Sequence, residues 1–465
     1  MGKRRVAPTI LPNLEVIKFA AEGNCIAKHE EQIVFLPFAA PGDVVDAQII
    51  KKKKNFLQAK PIVFHLKSAL RVEPKCKYFG VCGGCKWQHI AYENQLQLKE
   101  QQVKDNFEKI GKVTPFEYLP IIGADKIYAY RNKFEFSFSI SGWIEKIEDK
   151  TIEKKPALGF HIPGRFDKIL DIDYCHLANE TINEICRFVY EESYKRAIPF
   201  YDQVNNKGIL RNLIIRTSST GGLMVILVTS ELTDEVKEVL QAVQEEFNQI
   251  TSLNFIINTK MNDTIFDLDV VCIHGEPNLY DVIGKVKFKI RPKSFFQTNS
   301  YQVNKLYECA IEMAALKPTD VVYDLYTGTG SIALSFAKAV KKVVGIEILP
   351  QAIEDAKENA TLNGITNCQF FVGDMKKAFT IDLINQQGNP DVIITDPPRN
   401  GMDEEVVNLI LTIAPEKVVY ISCNPATQAR DLHLLSAKYN VQTSRAVDMF
   451  PHTHHVENVA LLVKR

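Results

Sequence analysis

Between Val16 and about His65 the chain alternates apolar and polar positions in four short runs, EVIKFA, QIVFLPFA, VVDAQIIK and FLQAKPIVF, with a turn at Pro41 to Asp43. A period of two in closely spaced runs with Gly and Pro turns predicts a small β-barrel. The pattern turns helical from about Leu96 to Ile110. A middle region, about Ile121 to Phe288, returns to strand patterns in KFEFSFSI, LIIRTSS and GLMVILVTS, with a helix predicted from Asp234 to Phe247. It reads as an α+β unit. From Asn304 onward apolar runs alternate with helical stretches: VVYDLY, KVVGIEI, CQFFVGD, DVIITDPP and KVVYISC. Such alternation predicts an α/β fold with a doubly wound parallel sheet that binds ligands at the carboxyl ends of its strands. Three domains are therefore expected, over residues 1–68, 69–290 and 291–465. No internal repeat or low-complexity linker interrupts them.

With 465 residues and 46% hydrophobic content, the chain is large enough for several globular domains. No apolar run approaches the ~20 residues that cross a bilayer, and MGKRRVAPTILPN lacks the apolar core of a signal peptide. A cytoplasmic, membrane-free protein is expected. The formal net charge of zero conceals basic runs at Lys51 to Lys54 and at Lys3, Arg4 and Arg5, so a polyanionic partner is not excluded. Taken alone, a short lysine run reads as a solvated hairpin tip. Among the ten cysteines, Cys76, Cys82 and Cys85 form a C-x5-C-x2-C cluster interleaved with Gly80, Gly83 and Gly84. In a reducing compartment such a cluster points to a metal rather than to disulfides.

The chemistry-bearing residues fall at strand ends. The first strand of the C-terminal region runs into the glycine-bearing turn DLYTGTGS, Asp324 to Ser331. The second ends in Glu347, a carboxylate able to accept hydrogen bonds from two ribose hydroxyls. The third ends in Gly373 and Asp374, placed to meet an adenine amino group. The turn lacks G-x-G-x-x-G spacing and no Lys-Ser/Thr pair follows it, so a pyrophosphate is not indicated. Together these features resemble the class I S-adenosylmethionine methyltransferases. The fourth strand ends in DPPRNG, with Arg399 where related N-methylating enzymes carry a stacking aromatic residue, which disfavours an amine methylase. The next strand delivers Cys423, followed by the turn formers Asn424 and Pro425. By itself a cysteine there reads as a small residue packed under a turn.

Four segments change that reading. SCNPATQARDL, DMFPHTHHVE, DPPR and SFFQTN (Ser294 to Asn299) resemble the RNA uracil-5-methyltransferase family, in its TRAM-bearing, iron–sulfur, 23S ribosomal RNA form. The N-terminal barrel likewise resembles the TRAM domain. The resemblance implies S-adenosylmethionine as cofactor, Cys423 as nucleophile and Glu457 as base. Carbon 5 of uracil is too weak a nucleophile to take a methyl group directly, so a thiolate must first add at carbon 6. A carboxylate must later remove the carbon 5 proton. His452, His454 and His455 are alternative bases. The resemblance also implies that Gln297, Tyr326, Glu347 and Asp396 contact the cofactor or the base beside it, with Gly328 and Asp374 completing the cofactor set. Asp396 could accept the uracil N3–H, which cytosine does not offer. Cys175 is implied as fourth ligand beside Cys76, Cys82 and Cys85, for a 4Fe-4S cluster. Thiolate-only ligation suits iron–sulfur or zinc, and the single C-x2-C pair favours iron–sulfur. The expected protein is a monomeric enzyme acting on ribosomal RNA, with transfer RNA as the second reading. An iron–sulfur redox protein or a noncatalytic RNA-binding module would have no need of Cys423 and Glu457 together.

Overall fold

The computed structural model describes residues 9–144 and 155–465, so Lys3, Arg4 and Arg5 lie outside the described residues. Strands β1 (Ile10–Phe19), β2 (Cys25–His29), β3 (Gln32–Leu36), β4 (Val44–Lys52) and β5 (Phe56–Leu66) close into a barrel in the order β1-β2-β3-β5-β4. Alternate residues point inward, Val16, Ala27, Val34, Leu36, Val45 and Ala47 among them, and fill the barrel with side chains. Strand β2 was not among the expected runs; it is short and turns Lys28 and His29 away from the core. Lys51 to Lys54 are exposed where β4 turns into β5, and Lys53 N–H donates to the Phe56 carbonyl at 2.9 Å. They form a hairpin tip, as the short run suggests.

Helix α1 (Tyr92–Asn106) covers most of the expected helical stretch and ends in a wider turn over Phe107–Gly111, closed by Lys112 at φ 50°. Strand β6 (Glu117–Ile122) corrects the expected central domain of 69–290: it pairs in parallel with a strand near the C-terminus, Thr443 opposite Glu117. Residues from α1 through β6 therefore belong to the C-terminal layer, and the central unit is inserted after them.

That unit holds β7 (Lys133–Ser139), β8 (Ala157–His161), β9 (Ile169–Asp171), α2 (Glu180–Lys195), β10 (Leu210–Thr217), β11 (Leu223–Thr229), α3 (Asp234–Glu246), β12 (Ser252–Ile257) and β13 (Val271–Gly275). Its sheet runs β13-β12-β11-β10-β7-β8-β9. Leu213, Ile215, Val225 and Leu227 face α2 and α3, whereas Ile214, Met224, Ile226 and Val228 join the core of the C-terminal domain. Burial on both faces explains why LMVILVT is apolar throughout.

A hairpin, β14 (Leu279–Ile283) and β15 (Val286–Ile290), leads to α4 (Ser300–Ala314). The C-terminal domain then alternates β16 (Val321–Leu325), α5 (Ser331–Phe336), β17 (Lys342–Glu347), α6 (Pro350–Leu362), β18 (Cys368–Val372), α7 (Met375–Ala378), α8 (Ile381–Gln387), β19 (Val392–Thr395), α9 (Glu404–Ile413), β20 (Lys417–Ser422) and α10 (Pro425–Leu435). It closes with β21 (Tyr439–Val447) and β22 (Glu457–Lys464). The sheet order is β18-β17-β16-β19-β20-β22-β21-β6, with β16 to β20 parallel and β22 antiparallel to β20. Reversal of strand order at β16 opens the crevice in which such sheets bind ligands. Among the described residues no helix is long and apolar enough to cross a membrane.

Candidate active site

The turn after β16 is held in left-handed backbone at Tyr326 (φ 65°), Gly328 (φ 56°) and Gly330 (φ 79°). At Gly330 a Cβ would stand 3.2 Å from the Ala356 side chain, so a glycine lets the turn approach α6. Glu347 fixes the same turn: its carboxylate accepts the Gly328 N–H at 3.1 Å, and its other oxygen accepts those of Ile348 and Leu349 at 2.8 and 3.1 Å. Oε1 is thereby filled by two donors, and Oε2, with one, keeps capacity for a further donor. Asp374 follows β18 and caps α7, accepting Lys376 N–H at 3.0 Å. Asp324 lies beneath, accepting the Thr327 hydroxyl at 2.5 Å and Ala333 N–H at 3.1 Å; burial pushes its carboxyl up to about 7.

The candidate reacting groups gather one sheet position away. Register pairs Ser422 of β20 with Asn458 of β22, so Cys423, one residue on, faces Glu457, one residue back. Asp396 directly follows β19, the other neighbour of β20. Burial raises all three. The Cys423 thiol is pushed up to about 11 by burial and then by the Glu457 and Asp396 carboxylates, with the Arg399 guanidinium working the other way. Glu457 is held well above the usual carboxylate range by burial and by Asp396, and Asp396 by burial and by Asp324. The turn carrying Cys423 is built locally: Asn424 caps α10 through Ala426 N–H at 3.2 Å, and its amide donates to the Arg399 carbonyl at 2.9 Å. Arg399 is thereby anchored beside the thiol, 3.3 Å from His455 Nδ1.

Gln297 enters through a residue that the motifs do not reveal. Tyr307 of α4 is buried with its hydroxyl 2.8 Å from Ser331 Oγ, and Asp396, Asp324 and Gln297 all act on it; burial above all keeps the phenol protonated. It sits within the apolar stripe of its helix, where nothing in the sequence separates it from core. The three histidines are buried or half-buried near these groups. Burial lowers His452 and His455 to about 4 and His454 to about 3, and the His452 ring stacks on Tyr128 at 4.3 Å with Nδ1 3.2 Å from Gln95 Nε2.

Cys76, Cys82, Cys85 and Cys175 line one cavity of 310 Å³ in the central region, together with Gly83, Gly84 and Gln88. Asp173, two residues before Cys175, binds Lys77 at 2.5 Å and also accepts the Tyr78 hydroxyl, which laces the two cysteine-bearing segments together. A Cβ at Gly83 would stand 2.7 Å from Pro163 Cγ, so a side chain there would displace Pro163. Among the described residues no group of three or more His, Cys, Asp or Glu side chains is placed to hold a metal ion.

A doubly wound sheet with a glycine turn and a carboxylate ending its second strand, behind a closed five-stranded barrel, is the architecture expected of an S-adenosylmethionine-dependent methyltransferase with an RNA-binding module. Comparison with known families makes this specific: residues 91–465 match the tRNA (uracil-5-)-methyltransferase family and residues 14–62 match the TRAM domain. The chain belongs to the tRNA (uracil-5-)-methyltransferase family. It is 49% identical to an uncharacterized RNA methyltransferase of Bacteroides thetaiotaomicron, over 96% of this chain and 100% of that one. A protein of the same description from Porphyromonas gingivalis is 50% identical over 97% and 99%. Among solved structures, the tRNA (uracil-54, C5)-methyltransferase of Pyrococcus abyssi in complex with S-adenosyl-L-homocysteine superposes with a TM-score of 0.76 at 27% identity, covering 97% of this chain and 100% of that chain. The protein is thus an RNA methyltransferase that uses S-adenosylmethionine.

Proposed function

We propose that the protein methylates carbon 5 of a uridine in 23S ribosomal RNA through a covalent adduct between Cys423 and uracil carbon 6, acting as a cytoplasmic monomer. The observation that carries this reading is the register that sets Cys423 against Glu457 with Asp396 alongside. Cys423 is half-buried and loses its proton to solvent, with Arg399 favouring the thiolate. The thiolate adds to carbon 6, and the electron pair of the 5,6 double bond moves to carbon 5 as an enolate. Gln297, Tyr326, Gly328, Glu347 and Asp374 would hold S-adenosylmethionine, whose electrophilic methyl group the carbon 5 electron pair would take as the sulfonium sulfur leaves with the electrons of its bond to that methyl. Glu457 then takes the carbon 5 proton; the double bond re-forms and the Cys423 thiolate leaves. Asp396 accepts the uracil N3–H, which leaves a buried acceptor unpaired if cytosine enters.

The four cysteines hold a 4Fe-4S cluster in this reading. Thiolate-only donors from two chain segments around one cavity, with Gly83 packed closely against Pro163, support it. Nothing in methyl transfer consumes an electron, so the cluster's work is positional.

Transfer RNA is the second reading, favoured by the likeness to the P. abyssi tRNA enzyme over its entire length, barrel included. Mass spectrometry of ribosomal and transfer RNA from a deletion strain separates the two by which pool loses 5-methyluridine. Cys423→Ala tests the chemistry: methylation should be abolished while S-adenosylmethionine binds as in the wild type, and residual full activity refutes covalent catalysis.

A further inference from the structure

We propose that His452 is a positioning residue that couples the four-cysteine site to the segment presenting Glu457, so that the cysteine site sets the placement of the catalytic base. The inference rests on the reading of Glu457 as that base. Both cysteine-bearing segments close on His452. Directly after Cys85, the backbone N–H groups of Lys86 and Trp87 both donate to the His452 carbonyl, at 3.0 and 2.9 Å. On the other side, the carbonyls of His176 and Leu177, which follow Cys175, accept the N–H groups of Ala129 and Arg131 at 2.9 and 3.1 Å. This pins Tyr128 and Tyr130: the Tyr128 ring stacks on the His452 imidazole at 4.3 Å, and the Tyr130 hydroxyl donates to the Pro451 carbonyl at 3.0 Å.

A third element completes the grip. Gln95 of α1, fully buried, accepts His452 N–H at 2.9 Å while its amide nitrogen donates to the Trp87 carbonyl at 3.1 Å. His452 is itself buried and held at φ 66°. A side chain larger than glycine adopts that conformation rarely and keeps it only where its surroundings over-determine it. Glu457 follows five residues later along PHTHHVE, which contains no glycine to absorb a displacement. Movement of either cysteine segment is thus transmitted through the His452 carbonyl or ring to the start of β22.

The test uses the full-length, anaerobically purified holoenzyme and RNA from the deletion strain. In RNA carrying 5-fluorouridine, the carbon 5 fluorine cannot leave as a proton, so adduct formation needs addition and methyl transfer but not Glu457. His452→Ala should form that adduct at close to the wild-type rate. On ordinary RNA its turnover should fall on the order of 10- to 100-fold, as for ~1 Å misplacement of a catalytic group, with methylated adduct accumulating. His452→Asn, which tolerates the left-handed backbone and can still meet Gln95, should recover part of the loss. Equal loss of both activities, or of neither, overturns the proposal. A second readout is independent of activity: in Cys175→Ser, amide hydrogen exchange of the peptide over 448–457 should quicken by about tenfold relative to wild type. Unchanged protection there overturns the coupling. If Glu457→Gln accumulates no adduct on ordinary RNA, the assignment of the base has failed instead, and the exchange measurement alone decides the coupling.

Discussion

Lys99→Met isolates the interaction that clamps the segment leading to Glu457 to α1. Lys99 and Asp448 are both fully buried, with Nζ 2.6 Å from Oδ1, and Lys99 also donates to the Phe450 carbonyl at 3.0 Å. Burial pulls the ammonium down from the usual lysine range, with the Asp448 carboxylate opposing. Methionine preserves most of the apolar stem, so the change removes chiefly a charge and two hydrogen bonds. Breaking such a pair from one side leaves an uncompensated buried charge and costs about 3–5 kcal/mol. Two donors remain on Asp448, the Tyr92 hydroxyl at 2.9 Å and Phe450 N–H at 3.0 Å, which places the expected loss at the lower end.

Trp87, one of only two tryptophans, is buried beside this segment and reports on it by fluorescence. In urea, a loss of about 3 kcal/mol at a slope of roughly 2–3 kcal/mol/M lowers the midpoint by about 1 M. Lys99→Met/Asp448→Asn removes both charges and should regain at least half of that shift, because a neutral amide still accepts from Tyr92. A midpoint unchanged in the single variant, or a double variant no more stable than the single, refutes the assignment of the stability to this pair.

Glu457→Gln should carry RNA through addition and methyl transfer and then stall, giving a slow covalent band on a denaturing gel; free methylated RNA at the normal rate would assign the base elsewhere. Asp324, raised by burial from 3.8 to about 7, binds its proton more tightly in the folded state, so its contribution is complete below about pH 4 and is lost as pH rises through 7. Asp324→Asn should flatten the fall in stability across that window, on the order of 4 kcal/mol at 1.36 kcal/mol per unit, and parallel wild-type and variant curves would refute the assignment. Anaerobically purified protein should hold about four irons with matching sulfide, and Cys175→Ser should make them labile; stoichiometric zinc in protein made with ample iron would overturn the cluster.

Strands buried on both faces were the most legible part of the fold. VVYDL, KVVGIE and VIIT are predominantly apolar because helices cover the parallel sheet on each side, and the carboxylates Asp324 and Glu347 come only near their ends, which mark the crevice. The barrel was legible through its period of two, except at CIAKH, where the buried Cys25 and Ala27 alternate with only one strongly polar partner and the strand is short. EYLPII gave no usable sign of its place. Its hydrogen-bonding partner, β21, lies at the far end of the chain, and local pattern carries no information about a pairing of that range.

The same distinction runs through the site. Asp324, Glu347, Asp374, Asp396 and Cys423 stand at or just beyond the ends of strands that local pattern reveals, so their convergence follows from the parallel topology alone. Glu457 does not follow in that way: it meets Cys423 because β22 returns antiparallel beside β20 in one register, and a slip by one residue would turn its carboxylate to the opposite face. That register is fixed by contacts remote from the reacting atoms. Asn458 donates to Gln428 Oε1 at 2.8 Å and accepts from Ser444 at 3.1 Å, while Lys99 holds Asp448 and the amides behind Cys85 hold His452. In the proposed mechanism, a carboxylate kept reluctant to ionise by burial is useful as a base only if it stands against carbon 5 when the adduct forms, and the buried polar contacts along 448–458 would supply that placement. They also satisfy the polar groups of the segment, which is why it can sit inside the protein instead of on its surface.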